Sequence, residues 1–190
     1  MKHVMVDLET LGTVADSVIM SIGAVKFDLD SDAMDDNGFY ASISTDSNMD
    51  CTGRLRRTQE DTLMFWLKQS ADAQRVFHEP KTTLEAGLEQ FSDWLGDDNY
   101  CMWSNGADFD LPMLAHAYTG LGIEIPWKFW NSRCFRTYKN LPQVFGVLIA
   151  PSGVKHNALT DAFNQARHLQ AIQAVLTGRV APKLHKMVKP

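Results

Sequence analysis

No stretch of this chain stays apolar for the roughly 18 residues that a membrane-crossing helix needs, and its first residues lack the basic-then-apolar order of a secretory leader. The expectation is a cytoplasmic protein with no membrane association. Cysteine is scarce. Cys51, Cys101 and Cys134 are odd in number, far apart and in no CxxC pair, so neither a disulfide framework nor a zinc cage is indicated. Positive charge is in deficit: 18 Lys and Arg against 23 Asp and Glu leave a formal charge of -5, which argues against a protein that coats nucleic acid with a broad basic face. It does not argue against an enzyme that grips one strand end in a small cleft, because carboxylates that hold metal ions lower the net charge and bound cations restore it locally.

Low-complexity tracts, internal repeats and linkers are also missing. What remains is an ordinary globular composition, 45% hydrophobic and 22% charged over 190 residues, which predicts one domain with a sizeable core at about 1–178 and a basic C-terminal tail at 179–190.

Hydrophobic patterning divides the chain in two. Residues 2–8 (KHVMVDL) are nearly continuously apolar, as in a strand covered on both faces, and 17–28 and 38–44 are further strands, separated by Asp/Ser/Asn-rich turns that suit an antiparallel meander. The period then becomes helical. Helices are predicted at 58–70 (after a capping Thr58), 82–96, 107–122, 132–141 and 157–178, with a short buried strand at 99–104. Strands first, then alternating helices and strands, predict an α/β fold with a mixed central sheet flanked by helices.

The chemistry is concentrated in carboxylates. "VMVDLETLG" (4–12) places Asp7 and Glu9 two apart, on one face of an extended strand. Two carboxylates so close resist joint ionisation without a positive partner; no Lys or Arg adjoins them, and a divalent metal ion meets the need. "SNGADFDLPML" (104–114) follows a strand and brings Asp110 to the start of a helix, with Asp108 as the competing carboxylate, whose alternative role is a helix cap. "KHNALTD" (155–161) puts His156 before the longest helix and Asp161 in its first turns.

In that order, DxE on the first strand, an aromatic-Asp pair after a later strand and HxxxxD on a late helix, the chain resembles the DEDDh exonucleases of the DnaQ-like superfamily, which have an RNase H-like fold. The tyrosine branch would need Tyr four residues before Asp161, where Asn157 stands; His156 lies five before. "RRTQEDTLMFWLKQS" and "WNSRCFRTYKNL" look like the group related to phage exonuclease A and small bacterial 3'-5' exoribonucleases.

The resemblance implies a metal-dependent 3'-5' exonuclease that hydrolyses single-stranded DNA or RNA ends to nucleoside 5'-monophosphates. Two Mg²⁺ or Mn²⁺ ions would be held by Asp7, Glu9, Asp110 and Asp161, hard oxygens matching hard cations. Asp7 would bridge them, with His156 as general base. Thr10, Leu11 and Gly12 would line the pocket for the terminal nucleotide, Leu11 as a wedge and Gly12 allowing close backbone approach. Trp66 and Phe109 would stack on bases or serve the core, and Asn105 joins the substrate contacts. Among the cations Arg54, Arg56, Arg57, Arg133, Arg136, Lys139 and Lys155, Arg133 is the foremost phosphate contact; a solvated face is the ordinary alternative for each. A proofreading subunit of a DNA polymerase and a catalytically silent binding module are the competing readings. Relatives often dimerise, so a homodimer is an expected state.

Overall fold

The computed structural model describes residues 1–144 and 146–180; the expected basic tail lies outside them apart from its first two residues. Five strands form one mixed sheet in the order β3-β2-β1-β4-β5, with β1 His3–Thr10, β2 Ile19–Phe27, β3 Phe39–Ser42, β4 Cys101–Ser104 and β5 Ser132–Cys134. The first three make the predicted antiparallel meander, while β4 and β5 run parallel to β1. Parallel neighbours end on the same side, so the C-terminal ends of β1 and β4 open onto one edge, where open α/β sheets bind ligands.

Helices cover both faces, which is why β1 reads as a near-continuous apolar run. Val4, Val6 and Leu8 pack with Leu88 and Phe91 of α2 (Leu84–Leu95) and with Met113, Leu114 and Tyr118 of α3 (Asp110–Leu121). Met5, on the opposite face, packs with Ala162, Ala166, Leu169 and Ile172 of α5 (Ala158–Leu176). Strand alternation then carries Asp7 and Glu9 towards α5.

Capping chemistry sets the helix ends. Thr83 accepts the Ala86 N–H at 3.2 Å to start α2, and Gly96, at φ 73°, ends it. Asn157 accepts the Thr160 N–H at 3.0 Å to start α5.

Two elements differ from expectation. The 58–70 helix contracts to α1 (Glu60–Trp66); Gln59, not Thr58, precedes it, and the Gln59 side chain accepts the Thr13 hydroxyl at 3.0 Å instead of capping. Only Trp66 of α1 is buried, leaving Leu63, Met64 and Phe65 exposed. At 132–141 the first three residues form β5, and the helix is only α4 (Phe135–Lys139). A three-residue edge strand is too short to show a period of two. Among the described residues no helix is long and apolar enough to cross a membrane.

Candidate active site

Gly23 is the register partner of Asp7 across β1 and β2, and a Cβ there would overlap the backbone of Ala158 and Leu159. Its bare backbone lets the first turn of α5 lie directly on the sheet. That contact sets the height at which Asp161, one turn further, meets the strand carboxylates.

Asp7, Glu9, Asp161 and His156 line one cleft of about 660 Å³, together with Asn105, Lys139, Lys155 and Gln165. Glu9, His156 and Asp161 each present a ligand atom within 4.8 Å of one another. Asp110 lies beneath them, almost fully buried, and its Oδ1 accepts the Leu8 N–H at 3.1 Å, which ties α3 to the strand segment between Asp7 and Glu9. Asp108 is exposed and caps nothing, so Asp110 is the inward carboxylate of the pair.

The electrostatics follow from burial and crowding. Burial, then the charges of Asp110, Glu9 and Asp161, push the Asp7 carboxyl well above the usual range. Glu9 is pushed up to about 8 by burial and by Asp161 and Asp110. Asp110 rises to about 6 through burial, opposed by backbone N–H groups and by the charge of Arg136. Burial also raises Asp161, against the His156 N–H that its carboxylate accepts. Among the described residues no cation pairs with any of the four; the one salt bridge is Arg57–Asp16. Four crowded carboxyls, all made reluctant to ionise, are a donor set of hard oxygens suited to divalent cations.

His156 has φ 61°, a left-handed conformation that non-glycine residues rarely adopt. Asp161 Oδ2 accepts its N–H at 3.0 Å, and its ring meets the Phe65 ring edge-on at 5.1 Å. Burial, with the charge of Lys155, lowers its pKa, which favours the neutral imidazole, the form with a nitrogen free to accept a proton.

The expected substrate contacts fare unevenly. Asn105 lines the cleft and Phe109 is half-buried against the α2/α3 core. Trp66 is only 2% exposed and its indole N–H donates to the Thr10 carbonyl at 2.9 Å; it belongs to the core, and the aromatic offered beside His156 is Phe65, 42% exposed. Thr10 and Leu11 are buried, Leu11 in a small cluster with Val18, Met20 and Trp66. The space beside Gly12 is filled by Ser17 and Gln59, so its bare backbone serves loop packing. Arg133 lines a neighbouring hollow and not the carboxylate cleft. Arg56 is buried, donating to the Ser17 and Ala15 carbonyls at 2.7 and 2.8 Å, and Arg57 pairs with Asp16.

Sequence reasoning missed Gln165, whose Nε2 donates to Asp7 Oδ1 at 2.6 Å while its buried Oε1 finds no partner among the described residues. It stands four residues after Asp161, on the same helical face; that spacing was the available signal.

Comparison with known proteins follows the same line. The family described as 3'-5' exoribonuclease Rv2179c-like domain matches residues 2–173. Similar solved structures include the crystal structure of cell-death related nuclease 4 (CRN-4), at 15% identity and TM-score 0.60, covering 93% of this chain and 64% of that one. The chain therefore spans slightly less than two thirds of CRN-4. The nuclease domain of 3'hExo, a DEDDh family member bound to rAMP, is similar at 12% identity and TM-score 0.58, with 92% of each chain covered. At these identities the likeness is one of fold. Among curated proteins no sequence relative matches.

Proposed function

Because the chain belongs to the 3'-5' exoribonuclease Rv2179c-like domain family, we propose that it is a metal-dependent 3'-5' exonuclease of the DEDDh type, releasing nucleoside 5'-monophosphates from single-stranded ends. The observation that carries this reading is the convergence of Asp7, Glu9, Asp161 and His156 on one cleft from β1 and the segment that opens α5, with Asp110 of α3 buried beneath it against the Leu8 N–H. A silent binding module would have no need of four carboxyls in each other's repulsive field.

Asp7, Glu9 and Asp161 are the residues to hold divalent cations, with Asp110 supporting from beneath. At such a donor set two Mg²⁺ or Mn²⁺ ions would supply charge neutralisation and polarisation of the phosphoryl oxygens. The neutral His156 imidazole takes the proton of the attacking water, whose oxygen bonds to phosphorus as the P–O3' bond opposite it breaks, and the departing 3' oxygen takes a proton from solvent. Asp161 steadies that histidine through its backbone N–H. Gln165 holds one oxygen of Asp7, leaving the carboxylate a single orientation. Phe65, exposed beside His156, is placed to stack on the terminal base, and Lys139 and Lys155 line the cleft for phosphate contacts. The family's description as exoribonucleases favours RNA.

Strands labelled at the 3' or 5' end, of RNA or DNA, incubated with Mg²⁺, Mn²⁺ or EDTA, test the proposal. Expected are stepwise shortening from the 3' end, mononucleotide products, silence in EDTA and in Asp7→Ala, and faster loss of RNA. An intact, metal-loaded protein that cuts neither strand would overturn it.

A further inference from the structure

A second hollow, of about 330 Å³, adjoins the carboxylate cleft. The two share one loop: Asn105 lines the cleft, while Gly106 and Ala107 line the hollow. Leu111, Ile125 and Trp127 give the hollow apolar walls, and Phe129 stands in its lining with 81% of its surface exposed. A large aromatic left in water beside an apolar recess signals a binding surface.

Three cations connect the two concavities. Arg133 lines the hollow, its guanidinium donating to the Trp130 and Ser132 carbonyls at 2.7 and 3.0 Å. Arg136 passes over Gly106, its guanidinium 3.9 Å from where a side chain there would begin, and its charge reaches Asp110. Lys139 lines the cleft and donates to Asn105 Oδ1 at 3.4 Å. They recur every third residue, and Arg136 and Lys139 share a face of α4. None forms an ion pair among the described residues. In a chain of net charge -5, three unpaired cations between two hollows mark a track for a polyanion.

We propose that the hollow receives one nucleobase upstream of the 3' end, stacked on Phe129, while Arg133, Arg136 and Lys139 hold the phosphates between it and the cleft. This deepens the exonuclease reading and rests on it. The recess is too small for a helix of a partner protein, whose diameter is about 10–12 Å, but suits a single flat ring system. Because a base can enter only when unpaired, the hollow would also select single strands.

The test is fluorescence anisotropy in EDTA with the full chain and a labelled single strand of about eight nucleotides, in which one abasic site is moved stepwise from the 3' end. In the wild type, one upstream position should weaken binding roughly ten-fold, the scale of one base–aromatic stack. In Phe129→Ala the intact strand should bind roughly ten-fold more weakly and the abasic site at that position should have no further effect. Arg136→Gln should weaken all strands alike and reduce the salt slope by about one phosphate contact. Phe129 is exposed, so its variant should melt with the wild type. A wild type that shortens strands but shows no abasic loss upstream of the terminal nucleotide overturns the subsite alone. So does a Phe129→Ala variant that keeps the wild-type abasic pattern. A protein that neither binds nor shortens any strand overturns both readings.

Discussion

The Asp161 carboxylate accepts the backbone N–H of His156 at 3.0 Å, and His156 is the one non-glycine residue among those described with positive φ. The candidate base is thus held in an unfavourable backbone conformation by a candidate metal ligand. His156→Asn, which tolerates the left-handed region, should lower kcat by about 10²–10⁴ through loss of the base with little change in melting temperature. Single-turnover rates at saturating metal check it; a loss below ten-fold would remove His156 from proton transfer.

Metal-free stability should fall as pH rises. Glu9 titrates near 8 in the folded chain against about 4.3 when unfolded, so the folded state binds the extra proton between those values. The stability it contributes is present below about pH 4 and is lost as pH climbs through 8. The melting temperature in EDTA should therefore drop between pH 5 and 8, Glu9→Gln should flatten that drop, and Mn²⁺ should stabilise the wild type more at pH 8 than at pH 6. Equal pH profiles for wild type and Glu9→Gln would refute the account.

Gly23→Ala would force a Cβ into the backbone of Ala158 and Leu159. Overpacking of this kind costs about 1–3 kcal/mol, and lifting α5 moves Asp161 away from Glu9. Urea denaturation should show the destabilisation, and calorimetric Mn²⁺ titration of the still-folded variant should show weakened binding.

Trp66 and Phe65 are sequence neighbours with opposite roles. Trp66→Ala empties a core site and frees the Thr10 carbonyl, costing about 3–5 kcal/mol. Phe65→Ala should cost well under that while raising KM for short strands several-fold. Denaturant curves and initial rates on both variants separate the two; a Phe65→Ala enzyme with wild-type KM would exclude base stacking there.

Much of the architecture was legible because it is written in periodicity. β1 follows from a near-continuous apolar run, β2 and the meander from strand-length apolar stretches between polar turns, and α2 and α5 from helical spacing, with ends displaced by a few residues. β5 escaped because three residues carry no period, and α1 was overdrawn because Leu63, Phe65 and Leu67 are apolar yet exposed.

The site divides on the same principle. By itself the sequence singled out the candidate site residues: the i, i+2 spacing of Asp7 and Glu9 is a property of any extended strand, and His156 and Asp161 stand five residues apart at the entry to one helix. Only the tertiary structure decided what surrounds them. The approach of α5 over Gly23, the Gln165 bond to Asp7, the burial of Trp66 and the diversion of Arg56 into a loop each join segments tens of residues apart or more. Such contacts depend on how whole elements pack, and no local spacing encodes that.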